Sequence, residues 1–118
     1  MKNLSDLEKK INSELATKIK TTKINHDHIC INIENENLLE VVLFLKNNNE
    51  TKFKQLIDIT AVDYPEKERR FKLIYLLLSH EFNSRIILGF FINENEIVTS
   101  LTSIFPSSTW MEREVFDL

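Results

Sequence analysis

The sequence predicts an α+β domain, a mixed and mostly antiparallel sheet of about four strands with helices packed on it, in the order α-β-α-β-β-β-α. Three observations predict it. Apolar residues recur at three- and four-residue steps near the N-terminus. From Leu56 the texture changes to runs of Ile, Val, Thr, Tyr and Phe broken by turn residues. Those runs are joined by connections so short that their strands must be antiparallel neighbours, whereas a helical segment precedes them and implies a crossover.

Each element follows from its own pattern. Ser5 with Glu8 forms a capping box, and Leu4, Leu7, Ile11, Leu15 and Ile19 behind it predict an amphipathic helix over 4–20. An α/β core over 24–105 follows. Ile29, Ile31 and Ile33 alternate with Cys30 and Asn32, which predicts a strand with one buried face. Asn37 offers an N-cap with Glu40 three residues on, and Leu38 to Leu45 is apolar nearly all round, so a short buried helix is expected, ended by Asn47, Asn48 and Asn49. Strands are expected over 56–64, 71–79 and 85–92, linked by the turns at Pro65–Arg70 and His80–Ser84. A looser segment reaches Pro106. Thr109 and Glu112 then form a second capping box opening a final short helix over 109–118.

The 118 residues suit one domain with a single core. Gly89 is the only glycine, which excludes glycine-rich phosphate loops, dinucleotide fingerprints and nucleophile elbows, because each needs several positions without a Cβ. Cys30 alone cannot supply an internal disulfide, a four-thiolate zinc site or an iron–sulfur cluster. A formal charge of −3 argues against nucleic-acid binding. No stretch approaches the roughly 18–20 apolar residues of a membrane span, and the N-terminus, with Asp6, Glu8 and Glu14 and no arginine, is unlike a signal or transit peptide. All four arginines, Arg69, Arg70, Arg85 and Arg113, lie in the second half, where a planar fork of donors suits fixed carboxylate pairing.

Few residues invite chemistry. His26 and His28 stand i, i+2, which on a strand would put both on one face, but a metal site needs more ligands. His80 reads as a solvated turn residue, and the serines have no histidine arranged nearby as a base. Asp58 and Asp63 lie on opposite faces of a strand whose neighbours are largely apolar, and burying either carboxylate without a partner would cost several kcal/mol. Turn amides, Arg69 and Arg70 are the natural partners. The final helix is the densest cluster, with Trp110, Glu112, Arg113, Glu114, Phe116 and Asp117 together. A tryptophan beside an arginine flanked by acids suits a protein interface, and docking on the chain's own sheet competes with that reading equally.

The runs LIDITAVDYPEKERRFKLIYLLLS at 56–79, FNSRI at 82–86 and SIFPSSTWMEREVFDL at 103–118 resemble the thirty-kilodalton subunit of respiratory complex I, a family of NADH:quinone oxidoreductase subunits. The likeness is close over the second half; residues 1–55 fit in layout alone. It implies a non-catalytic structural subunit of the peripheral arm, with no catalytic, cofactor-binding or metal-ligating residues of its own. The implied partners are the forty-nine-kilodalton subunit and the iron–sulfur subunits. The implied place is peripheral, on the cytoplasmic face of a bacterial inner membrane or the matrix face of the mitochondrial one. Asp58, Asp63, Tyr64, Arg70, Arg85, Trp110, Glu112, Arg113, Glu114 and Asp117 match the family pattern and are assigned interface and structural roles, as the resemblance implies; Thr60, Pro65, Phe71, Tyr75 and Pro106 match as well. The alternatives are the equivalent subunit of a complex I-related membrane hydrogenase and a stand-alone binding module.

This sequence departs from the family pattern in several places, among them Thr99 where a proline is usual and Ser108 and Thr109 where small residues and asparagine usually precede the tryptophan. After Arg85 the family keeps a basic, polar strand, where this chain reads Ile86, Ile87, Leu88, Gly89, Phe90. The family also continues past Asp117 into a C-terminal extension, expected to be absent here, which leaves room for a separate chain supplying that part.

Overall fold

The computed structural model describes residues 4–93 and 95–116. Its elements are α1 (Leu4–Glu14), β1 (Ile19–Asn25), β2 (His28–Ile33), a single 3-10 turn (Asn35–Asn37), α2 (Leu38–Asn47), β3 (Gln55–Asp63), β4 (Phe71–Ser79), β5 (Ser84–Ile92) and α3 (Ser108–Phe116). The strands form one five-stranded sheet in the order β1-β2-β5-β4-β3. The β2–β5 pair is parallel and every other pair is antiparallel, so the sheet is mixed as expected. The crossover through α2 carries the chain from β2 to the far edge, and the β3–β4–β5 meander then returns to lie beside β2.

The expected helix over 4–20 is too long and one strand was missing from the expected order. α1 stops at Glu14, and Ile19–Asn25 forms β1, antiparallel to β2 with Ile19 opposite Ile33 and Ile24 opposite Ile29. Leu15 and Ile19 keep the helical spacing, but Thr21, Thr22 and Ile24 are β-branched and pair with β2. The two histidines are separated by the same correction. His26 occupies the β1–β2 turn with φ 53°, while His28 opens β2, so they do not share a strand face.

Alternation along the strands gives the sheet two faces. Ile29, Ile31, Ile33, Leu73, Tyr75, Leu77, Ile86, Leu88 and Phe90 point to one and are buried. Leu7 and Ile11 of α1 and Leu38, Val41, Val42 and Leu45 of α2 close over them, with Leu101, Ile104 and Phe105 from the segment after β5. Met111 and Val115 of α3 pack against the same core. The opposite face carries Cys30, Asn32, Lys72, Ile74, Leu76, Leu78, Ile87 and Phe91, all partly exposed.

α2 is one-sided rather than buried all round: Leu39 and Leu43 are 37% and 39% exposed on its outer side. Its Asn37 makes no side-chain cap and instead donates toward the Lys18 carbonyl. At the other end the buried Thr51 hydroxyl and the Phe53 amide both donate to the Leu45 carbonyl, and the Asn48 side chain accepts from the Glu50 amide. The turn expected of the asparagines is thus made by Asn48, with Lys52 supplying the left-handed residue at φ 49°.

Candidate interface surfaces

The β3–β4 turn carries the Asp63–Arg70 ion pair across its base. Asp63 ends β3, and its two carboxylate oxygens accept from Arg70 Nε at 2.7 Å and Nη2 at 3.0 Å, a bidentate fork. The Tyr64 amide donates to the Arg70 carbonyl at 2.6 Å. Arg70 holds the Asp63 carboxyl below the usual carboxylate range. Arg69 reaches the other way, to Glu34 at the end of β2, at 2.8 Å, where Lys20 also approaches the same carboxylate at 3.1 Å. These two cations lower the Glu34 pKa, Arg69 foremost.

Asp58 is not buried. β3 bulges between Leu56 and Asp58, which lets both Leu56 and Ile59 turn inward, and the exposed Asp58 carboxylate accepts from the Ile59 amide at 2.9 Å. The carboxylate thus bonds the backbone beside its own bulge. Arg85 lies at the exposed start of β5, 3.9 Å from Asp27, and Tyr64 packs edge-on to Phe91.

The α3 cluster separates into two sides. Glu112 faces inward and binds the preceding loop: it accepts from the Leu101 amide at 2.8 Å, from the Ser100 hydroxyl at 2.7 Å and, at short range, from the buried Ser108 hydroxyl. The expected Thr109–Glu112 box is therefore replaced by a tie to residues 100, 101 and 108, and Thr109 contacts Thr102 instead. Ser5–Glu8 fares likewise, since Ser5 lies inside α1 and Glu8 accepts from Thr22 of β1.

Trp110, Arg113 and Glu114 face outward, with Trp110 71% exposed. Among the described side chains of α3, Met111 and Val115 pack on the core, so the tryptophan is not spent on it. Asp117 lies outside the described residues. Beneath α3, the Tyr75 hydroxyl is buried without a hydrogen-bond partner among the described residues, and burial with Glu112 nearby raises its pKa.

Two features were not visible in the sequence. One is the Glu34–Arg69 pair, whose members are 35 positions apart. The other is the apposition of Tyr64 and Phe91, which exists because β4 and β5 are neighbours.

Comparison with known proteins gives the arrangement a context. A family profile described as the respiratory-chain NADH dehydrogenase 30 kDa subunit matches residues 31–118. An NADH-quinone oxidoreductase subunit of Ruegeria pomeroyi is 37% identical, over 98% of this chain and 60% of its own length. The mitochondrial NADH dehydrogenase (ubiquinone) iron-sulfur protein 3 of Candida albicans is 44% identical, over 78% of this chain and 33% of its own. The NADH-ubiquinone oxidoreductase subunit 9 of Reclinomonas americana is 42% identical, over 76% and 44%. The chain thus spans between a third and three-fifths of the length of these relatives. With three quarters of its residues inside the matched region and both the β3–β4 turn and α3 included, the chain belongs to the family of the 30 kDa subunit of respiratory-chain NADH dehydrogenase.

Proposed function

We propose that this chain is a non-catalytic structural subunit of the peripheral arm of NADH:quinone oxidoreductase, holding redox-active neighbours in place while electrons pass from NADH to quinone. The observation that carries it is the outward face of α3. Glu112 fixes the helix to its own loop, and that fixing leaves Trp110 exposed beside Arg113 and Glu114. Tryptophan and arginine are the residue types that most often dominate binding at protein interfaces. The partners this reading names are the forty-nine-kilodalton subunit and the iron–sulfur subunits. No helix among the described residues is long and apolar enough to cross a membrane, and the reading makes the association with the membrane peripheral, through the rest of the complex.

The test is affinity purification of the tagged chain from its native cells under conditions that keep respiratory complexes intact. Iron–sulfur and quinone-reducing partners are expected to co-purify. Trp110→Ala is expected to lower their yield by at least about tenfold while the melting temperature of the chain stays unchanged, as for a hot-spot aromatic outside the core. Recovery of the chain alone from intact extracts would overturn the reading.

A further inference from the structure

The open face of the sheet ends, beside the β3–β4 turn, in a hollow of about 720 Å³ whose walls include Lys20, Tyr64, Lys67, Arg69, Lys72 and Phe91. Its charges are unevenly satisfied. Lys20 and Arg69 share the Glu34 carboxylate. Lys67 and Lys72 have aromatic contacts instead: Lys67 Nζ lies 4.6 Å from the Phe91 ring centre and 5.2 Å from that of Tyr64, and Lys72 Nζ lies 5.3 Å from that of Phe91. Neither ammonium forms an ion pair among the described residues. Glu68 also lines the hollow without pairing with either lysine.

The chain's single glycine contributes to this arrangement. Gly89 is buried in β5, between Asn32 of β2 and Ile74 of β4, and its φ is not positive, so the backbone does not demand glycine there. A Cβ at position 89 would stand 2.9 Å from Lys72 Cε, the far end of a flexible side chain, so a larger residue there would displace the lysine rather than the backbone. The missing side chain is the room in which the Lys72 stem lies along the sheet, with its apolar part on the strand and its charge at the hollow.

Two cations over aromatic faces, at the end of a partly exposed apolar surface formed by Ile74, Leu76 and Ile87, complement a carboxylate that arrives with an apolar neighbour. We propose that this hollow receives an acidic segment of a neighbouring protein subunit, an Asp or Glu of which lies between Lys67 and Lys72 while an adjoining apolar side chain rests on the open sheet face. The proposal deepens the structural-subunit reading and rests on it. It adds to α3 a second contact surface on a different side of the domain.

The experiment uses the assembled complex in its native membranes, treated with a water-soluble carbodiimide that joins an amine to a carboxylate already in contact with it. Mass spectrometry is expected to find Lys67 or Lys72 joined to an Asp or Glu of another subunit. The charge reversal Lys67→Glu/Lys72→Glu is expected to lower co-purification of the complex at least about fivefold, and Lys67→Arg/Lys72→Arg, which keeps the charge, to restore most of it. Co-purification at the wild-type level with both lysines uncrosslinked and freely acylated would overturn this inference and leave the structural-subunit reading standing. Absence of any co-purifying subunit would overturn both. Binding to phosphatidylglycerol vesicles that the reversal abolishes, with co-purification untouched, would assign the hollow to a membrane surface and overturn the proposal.

Discussion

The two faces of the sheet are made by the same strands with the same alternation, yet they are furnished for different surroundings. On the covered face Leu73, Tyr75, Leu77, Ile86, Leu88 and Phe90 are at most 1% exposed, closed over by α1, α2 and the segment after β5. On the open face the neighbouring positions are Lys72, Ile74, Leu76, Leu78, Ile87 and Phe91, still mostly apolar but only partly screened. A face that met only water would gain from polar residues at those sites. The apolar run after Arg85 falls on both faces: Ile86, Leu88 and Phe90 fill the core, whereas Ile87 and Gly89 belong to the open side. The lesson is that apolar composition alone does not tell core from contact surface; the side of the strand does.

The comparison can be broken most strongly by truncation. Leu88→Ala is expected to cost about 2–5 kcal/mol in urea unfolding, because it empties a fully enclosed site, whereas Leu76→Ala on the open face should cost about 1 kcal/mol or less. Equal losses would mean that the open face is as structural as the core. A smaller effect is expected from Glu112→Ala, which leaves the Leu101 amide and the Ser108 hydroxyl without their acceptor. About 1–3 kcal/mol should be lost, and amide exchange should quicken at Leu101 and along α3 while the meander stays protected.

The smallest effect comes from the turn between β3 and β4, beside the open face. Asp63 and Glu34 both have pKa values lowered by their arginines. The unfolded chain therefore holds these protons more tightly than the folded one. Their contribution is complete above the unfolded values and is lost as pH falls through the lower folded values, so the urea midpoint should drop modestly from about pH 5 to about pH 3. Asp63→Asn should reduce that slope.

Much of this fold was legible in the chain. The alternation in 71–79 and 85–92 fixes which residues enter the core, and the short turns fix antiparallel neighbours. β1 was not legible, because Ile19 serves equally as the last residue of a helical stripe and the first of a strand, and only its pairing with Ile33 decides. The capping boxes mislead for a related reason. Glu8 and Glu112 had the local spacing, but Thr22 and Leu101 offer them tertiary partners instead. At the candidate surfaces Asp63 and Arg70 are close enough in sequence to be paired by inspection, and the exposure of Trp110 follows from the helix period once Met111 and Val115 are known to face in. Lys67 and Lys72 beside Phe91 could not be read, since that meeting depends on sheet order.

Both outer strands of the sheet are irregular. β1 bulges between Ile19 and Thr21 and carries Lys20 and Lys23; β3 bulges between Leu56 and Asp58 and ends at Asp63. A second strand approaching either border would find a broken run of amides and carbonyls and a line of charges, which are the devices that keep β-proteins from zipping into aggregates. The borders of this domain thus discourage indiscriminate self-association, and recognition is left to side chains, which can be selective about what they accept.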